Sequence, residues 1–86
     1  MCILFIAVNQ HPDYPLIIAA NRDEYFAREA KPARFWSTEP VLVAGRDVKT
    51  GGTWFGIKRT GRVAAVTNLR APELVRSNAM SRGGLV

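Results

Sequence analysis

An uninterrupted apolar segment, residues 2–8 (CILFIAV), follows Met1 and limits the possible folds more than any other part of the chain. Because no polar residue alternates with the apolar ones, the segment predicts a β-strand that is buried on both faces. It is too short to span a bilayer, and it lacks a basic leader and a small-residue cleavage site. We therefore expect neither a membrane span nor a signal peptide.

A second apolar segment, residues 16–20, follows a loop that contains Asn, Asp and two prolines. Two apolar segments around a short loop predict an antiparallel hairpin. The loop length places Cys2 opposite Arg22, and a slip of two residues would change this partner to Ala20 or Glu24. In each of these registers the thiol lies beside the polar segment 21–24 (NRDE).

The clearest hairpin comprises residues 53–59 and 62–69, with a two-residue Thr-Gly turn between them. This register places Thr53 opposite Asn68, at the end of the hairpin that is far from the turn. The hairpin therefore predicts a polar pair at the open end of the strands.

The other segments give weaker signals. Residues 25–33 are compatible with a helical turn that Pro32 limits, and residues 41–44 predict a short strand that Gly45 ends. Pro72 suits the first position of a short helix, and Ser81 suits the N-cap of another. The pattern predicts the α+β class, mostly antiparallel strands and hairpins. The last predicted helix has a start signal but only a few residues after it. We therefore interpret residues 1–86 as a single partial domain, the N-terminal portion of a larger one.

Charge and cysteine content narrow the function classes. Twelve Lys and Arg against seven Asp and Glu give a net charge of +5, but the cations are scattered from Arg22 to Arg82. We therefore expect no nucleic-acid partner. One cysteine excludes an internal disulfide, and one histidine without a Cys/His cluster argues against a metal site. These features favour the reducing environment of the cytoplasm.

The thiol of Cys2 supports a specific chemical hypothesis. If Met1 is removed, one residue carries both a nucleophilic sulfur and an α-amine that can accept its proton. Arg22 would favour the thiolate, Asp23 would orient the amine, and the side-chain amide of Asn68 would stabilise an oxyanion. These four residues are the predicted catalytic site. Simpler roles remain open: a small core cysteine, an Arg–Asp salt bridge at a strand end, and an asparagine that ends a strand.

Several ordered motifs resemble one family over nearly the whole chain, the NRDE-motif or transport and Golgi organisation protein 2 family. They are MCILF at 1–5, ANRDE at 20–24, Pro32-Ala33 with Trp36, AGRD at 44–47, GGTWFG at 51–56, GRVA at 61–64 and TNLR at 67–70.

This family's pattern is similar to the N-terminal nucleophile (Ntn) hydrolases of the choloylglycine hydrolase and penicillin V acylase type. The resemblance implies an αββα sandwich and cleavage of a C–N amide bond in a small-molecule substrate. It also implies that Cys2 is the nucleophile, that Arg22 and Asp23 activate and orient it, and that Asn68 belongs to an oxyanion hole. Further site residues would lie beyond Val86.

The resemblance also leaves a non-catalytic alternative, because family members have been linked to secretory organisation, lipid metabolism and haem trafficking. In that case the chain would bind haem or another amphipathic ligand as cargo, without a resident cofactor. This function is compatible with the net positive charge of the chain and with the aromatic side chains Trp36 and Trp54. In both cases we expect a missing C-terminal part or a homo-oligomer to cover the edges of the sheets.

Overall fold

The computed structural model describes residues 1–37, 41–68 and 76–86. In these ranges the strands are β1 (Leu4–Val8), β2 (Leu16–Ala20), β3 (Ala30–Trp36), β4 (Leu42–Asp47), β5 (Phe55–Lys58) and β6 (Val63–Ala65). β1 and β2 form one sheet, and β3-β4-β5-β6 form a second, with every pairing antiparallel. A 3₁₀ helix, Arg82–Leu85, follows. None of the described helices has the length and apolar character that crossing a bilayer requires.

The first hairpin has the predicted register. Leu4 lies opposite Ala20, and Val8 lies opposite Leu16. The Asn9 N–H donates to the Pro15 carbonyl across the start of the loop, at 2.8 Å. The loop length therefore determined the pairing, and the same register extends towards Cys2.

The burial predicted for β1 is wrong in this structure. The exposed fractions are 62% for Phe5, 54% for Ile6 and 56% for Val8. Two strands alone cannot cover either of their own faces, so the apolar side chains of this hairpin remain in contact with solvent.

The register predicted for the second hairpin is wrong by one residue. Phe55 lies opposite Ala65, not Val66. The Lys58 N–H donates to the Arg62 carbonyl at 2.8 Å, so the loop has three residues instead of two. Gly61 ends this loop at a φ of +91°, which is the left-handed residue of a three-residue hairpin connection.

The one-residue difference changes the partner of Asn68. The Val66 N–H donates to the Trp54 carbonyl at 2.9 Å, so the same register continues beyond β5 and β6. Thr53 is therefore not directly opposite Asn68, as the two-residue turn had predicted. A one-residue slip also exchanges the faces on which the side chains of a strand lie.

The segment after the first hairpin forms a turn and then a strand rather than a helix. The Arg28 N–H donates to the Tyr25 carbonyl at 2.9 Å, and β3 begins at Ala30. Among the described strands β3 pairs only with β4 and lies at the edge of the sheet, so Pro32 is tolerated where a central strand would need its N–H. An irregularity in the pairing, a β-bulge, lies between Lys31 and Arg34.

β4 continues through Gly45 to Asp47, although we predicted that Gly45 would end it. A Cβ at Gly45 would lie only 2.8 Å from Cη2 of Trp54. Glycine is therefore required here for close packing of the indole on the strand, and the chain does not turn.

Burial is concentrated around β4. The most buried side chains in the described ranges are Ala44 and Thr53, each 3% exposed, and Asp47, 7% exposed. The predicted antiparallel strands and hairpins are confirmed, whereas the helical part of the α+β class is limited to the 3₁₀ helix in the residues described. Ser81 caps this helix as predicted, and the helix predicted from Pro72 lies outside the described residues.

The second hairpin turn gives a testable prediction. We expect Gly61→Ala to lower the free energy of unfolding of the intact protein by about 1–2 kcal/mol, because alanine is strained at positive φ. Gly84→Ala is the control, since a Cβ at either glycine has open space but Gly84 lacks a positive φ. Urea denaturation measures both, and equal effects of the two substitutions would contradict the turn geometry.

Candidate functional site

Asn21 holds the beginning of the chain in place from both its backbone and its side chain. Its N–H donates to the Ile3 carbonyl at 3.1 Å, and its Oδ1 accepts from the Ile3 N–H at 2.5 Å. Its Nδ2 donates to the Met1 carbonyl at 3.2 Å. These bonds fix the backbone on both sides of Cys2, a role that sequence reasoning had not assigned to Asn21.

The thiol of Cys2 lies beside Asp23. Cys2 is half-buried, and the Asp23 N–H donates to its Sγ at 3.5 Å. The carboxylate of Asp23 forms an ion pair with the α-ammonium group of Met1. Cys2, the predicted nucleophile, is therefore adjacent to Asp23, which was predicted to orient a terminal amine. With Met1 present, the terminal amine that Asp23 binds is that of Met1.

Arg22 uses its guanidinium group to connect the two sheets. Its Nη2 lies 2.6 Å from Oδ2 of Asp47, and its Nη1 donates to the Arg28 carbonyl at 3.5 Å. The guanidinium carbon lies 4.7 Å from the centre of a Trp54 ring, a distance typical of a cation–π contact. The ion pair of Arg22 is thus with Asp47, not with the neighbouring Asp23.

Asp47 is the acceptor at the centre of the site, and sequence reasoning did not identify it. Its Oδ2 accepts from both Arg22 and Nε of Arg28, the latter at 2.8 Å. Its Oδ1 accepts from the backbone N–H groups of Lys49 and Thr50, at 2.9 and 3.1 Å. One carboxylate therefore organises the end of β4, the turn after it and two arginines from the preceding segment.

These contacts determine the ionisation of Asp47. Burial alone raises the pKa of this carboxyl group. The hydrogen bond from the Thr50 N–H, the hydrogen bond and charge of Arg28 and the hydrogen bond from Arg22 lower it. The net result is a pKa below the ordinary value, because all the donors favour the charged form.

Arg82 fixes the orientation of Asn68. Its guanidinium donates to Oδ1 of Asn68. An arginine has no acceptor, so the amide oxygen must face it and the Nδ2 donors must point elsewhere. The Thr53 N–H donates to the Gly83 carbonyl at 3.3 Å, which holds the 3₁₀ helix against the sheet. No sequence signal had linked Arg82 to the site.

The four predicted residues line one cleft of about 120 Å³: Cys2, Arg22, Asp23 and Asn68. Residues absent from the prediction line it too, among them Glu24, Arg28, Asp47, Trp54 and Arg82. The volume is below the roughly 300–1,000 Å³ of sites that enclose drug-sized ligands, so the cleft has room for a reacting group rather than a whole large substrate. Within residues 1–37, 41–68 and 76–86, no His, Cys, Asp and Glu side chains cluster as a metal site would require.

The family profile and the similar sequences identify the same protein family. The sequence profile described as Transport and Golgi organisation 2 matches residues 1–86. The chain is 45% identical over 93 residues to the Transport and Golgi organization protein 2 homolog of Bos taurus and 43% identical to that of Homo sapiens. It is 35% identical over 95 residues to Transport and Golgi organization protein 2 of Drosophila melanogaster.

These matches cover 100% of the chain but 33% of each relative, so the chain spans about a third of their length. No solved structure shows significant similarity to it.

The central carboxylate gives a prediction about stability. We expect Asp47→Asn to lower the free energy of unfolding of the intact protein by about 2–3 kcal/mol at pH 7, because the part-buried guanidinium of Arg22 loses its counter-charge and Arg28 keeps only its longer ion pair with Glu24. Asp13→Asn, in the exposed loop of the first hairpin, should change it by less than about 0.5 kcal/mol. Equal losses in the two variants would contradict the central role of Asp47.

The pH dependence follows from the lowered pKa of Asp47. As the pH falls, the unfolded chain takes up this proton first, near its ordinary pKa of about 4. The stabilisation is therefore complete above about pH 4 and is lost as the pH falls through the folded-state pKa. We expect the stability difference between wild type and Asp47→Asn to shrink from pH 5 to pH 2 in urea titrations, and a constant difference would contradict this.

Proposed function

This chain belongs to the Transport and Golgi organisation 2 family, and on that premise we propose that it carries the nucleophile of an N-terminal-cysteine amidohydrolase. The proposed reaction is cleavage of a C–N amide bond in a small-molecule substrate. In this proposal Cys2 becomes the first residue when Met1 is removed. Its thiol is the nucleophile, and its own α-amine is the base.

The ion pair between Asp23 and the terminal ammonium carries the proposal. Asp23 binds the α-ammonium group of Met1 while its backbone N–H contacts Sγ of Cys2, so one residue contacts both the proposed nucleophile and the amine that now begins the chain. After Met1 is removed, the first amine belongs to Cys2. The same carboxylate then becomes the partner that orients the base.

The proposed mechanism proceeds through a thioester. The neutral α-amine of Cys2 takes the thiol proton, and the thiolate attacks the amide carbonyl carbon to form a tetrahedral oxyanion. The resulting ammonium returns the proton to the leaving nitrogen as the C–N bond breaks. The same amine then removes a proton from water, which hydrolyses the thioester and restores the free thiol.

Asn68 and Arg22 would support the charges in this reaction. Because Oδ1 of Asn68 accepts from Arg82, its Nδ2 donors remain for the oxyanion. Arg22 supplies a positive charge at the cleft wall, and Asp47 holds it there. Asp47 and Arg82 act in this scheme as positioning residues, because they act through Arg22 and Asn68.

The wider context of this function is also part of the proposal. We propose that the two sheets belong to an Ntn-like αββα sandwich, completed by further chain or by a second copy that covers the exposed hairpin. A free thiol at the site favours the cytoplasm. The names of the relatives refer to transport and Golgi organisation, and we extend that cellular context to this chain.

The alternative function is binding of haem or a lipid-type ligand without catalysis. The observation that favours it is the exposed apolar hairpin, where Phe5 is 62% and Leu16 is 48% exposed. Saturable binding in a haem titration that Cys2→Ala leaves unchanged, together with no amide cleavage by the wild type, would favour this alternative over the enzyme.

The enzymatic proposal predicts a processed N-terminus and a thiol-dependent reaction. Intact mass of the native protein should show that Met1 is absent. Release of p-nitroaniline from N-acyl-p-nitroanilides should fall at least about 10³-fold in Cys2→Ala, because the nucleophile is lost. Retention of Met1 in an active preparation would exclude the α-amine of Cys2 as the base and so contradict the mechanism.

A matched asparagine pair tests the oxyanion role. We expect Asn68→Ala to lower kcat about 10²–10³-fold, with a much smaller change in KM, because the donor acts on the transition state. Asn78→Ala, at an exposed position, should leave kcat unchanged within about twofold. A large rise in KM with kcat preserved would assign Asn68 to substrate binding instead.

A further inference from the structure

A second hollow lies on β3 and β4 of the four-stranded sheet and shares no residue with the Cys2 cleft. Its lining contains three cations, two aromatic rings and no carboxylate among the described residues: Lys31, Pro32, Arg34, Phe35, Trp36, Ser37 and Arg46. Its volume is about 240 Å³. Such a composition suits a small anion that also has an apolar part.

The β-bulge in β3 brings two of the cations to one face. Lys31 lies opposite Arg46, and Arg34 lies opposite Ala44. Arg46 and Ala44 are two residues apart on β4 and share a face, so their partners share it too. Lys31 and Arg34 are three residues apart and would lie on opposite faces of a regular strand. The extra residue of the bulge reverses this, as bulges beside functional sites often do.

Arg46 is held in place by contacts that leave its terminal N–H groups available. Its Nε donates to the Gly51 carbonyl at 3.1 Å, and its guanidinium carbon lies 4.6 Å from the centre of a Trp36 ring. The Trp36 Nε1 donates to the Ala44 carbonyl at 3.0 Å, which fixes the indole in turn. In the described parts of the chain, the two terminal nitrogens of Arg46 have no hydrogen-bond partner. A preorganised guanidinium with free N–H groups is suited to bidentate binding of an oxyanion.

Protection of a sheet edge explains only part of this surface. Lysine, proline and a bulge on an edge strand prevent pairing with other chains, and Lys31 and Pro32 fit that role. Arg46 does not, because it lies on the inner strand β4, packed against Trp36. It also faces away from the Cys2 cleft, since its neighbour Asp47 lines that cleft and successive strand residues point to opposite faces.

We propose that this hollow binds an aryl anion, a phosphate or carboxylate attached to a single aromatic ring. Arg46, Arg34 and Lys31 bind the oxyanion, and the indole of Trp36, on the same face of the sheet, contacts the ring. The volume lies below the usual range of about 300–1,000 Å³ for drug-sized ligands, which favours one ring over several. This site is independent of the chemistry at Cys2.

The test uses phenyl phosphate and two charge-matched double variants of the intact protein. Arg34→Gln/Arg46→Gln removes two cations from the hollow, and Arg59→Gln/Arg62→Gln removes two exposed cations beside the second hairpin turn. By calorimetry we expect saturable binding to the wild type with Kd below about 1 mM. The first variant should weaken it at least about 10-fold and the second less than about twofold.

Other results would overturn the proposal. Equal weakening in both double variants would assign binding to net charge rather than to the hollow. An absence of saturable binding in the wild type would exclude an aryl-anion site. Inorganic phosphate that binds as tightly as phenyl phosphate would exclude a role for the ring. Cosedimentation with phosphatidate vesicles that is lost only in Arg34→Gln/Arg46→Gln, without phenyl phosphate binding, would replace the aryl anion by a lipid headgroup.

Discussion

The shared carboxylate of Asp47 is the interaction on which the arrangement of the site depends. It ends β4, caps the turn that follows, and binds Arg22 from beyond β2 and Arg28 from the next segment. The two sheets are thereby joined through charge and hydrogen bonds, while Ala44 is the one buried apolar side chain among the residues that the structure describes. A network of this kind has a well-defined geometry because each of its buried polar groups needs a hydrogen-bond partner. Apolar contacts lack this directional requirement. The position of Arg22 at the cleft therefore follows from β4 as much as from its own hairpin.

Trp54 extends the same network into the sheet. Its ring packs on Gly45 on one side and contacts the Arg22 guanidinium, so the indole lies between strand backbone and cation. Only glycine at position 45 allows this approach. Gly45 and Asp47 of the motif at 44–47 and Trp54 of the motif at 51–56 therefore bring a carboxylate and a ring to the guanidinium of Arg22.

Local chain chemistry explains which features could be predicted. The first hairpin was assigned correctly because its loop length favoured the observed pairing over registers that differ by two residues, and each of these registers placed Cys2 beside residues 21–24. The register of the second hairpin was predicted wrongly because a Thr-Gly sequence is compatible with both a two-residue and a three-residue loop. The backbone torsion angles of Gly61 decide between them, and the residue types alone do not specify those angles. Asp47 and Arg82 were missed for a different reason. Their partners are distant in sequence, and a lone charged residue carries no signal of the contact that it will make.

Each of the two proposed sites contains one of the two tryptophans of the chain, with an arginine against its ring. Indole emission responds to nearby charge, so Trp54 and Trp36 are intrinsic optical reporters of two separate environments. Replacing one of them with phenylalanine would leave a single emitter. Occupancy of the Cys2 cleft and of the basic hollow could then be followed separately in the same protein, without an added label.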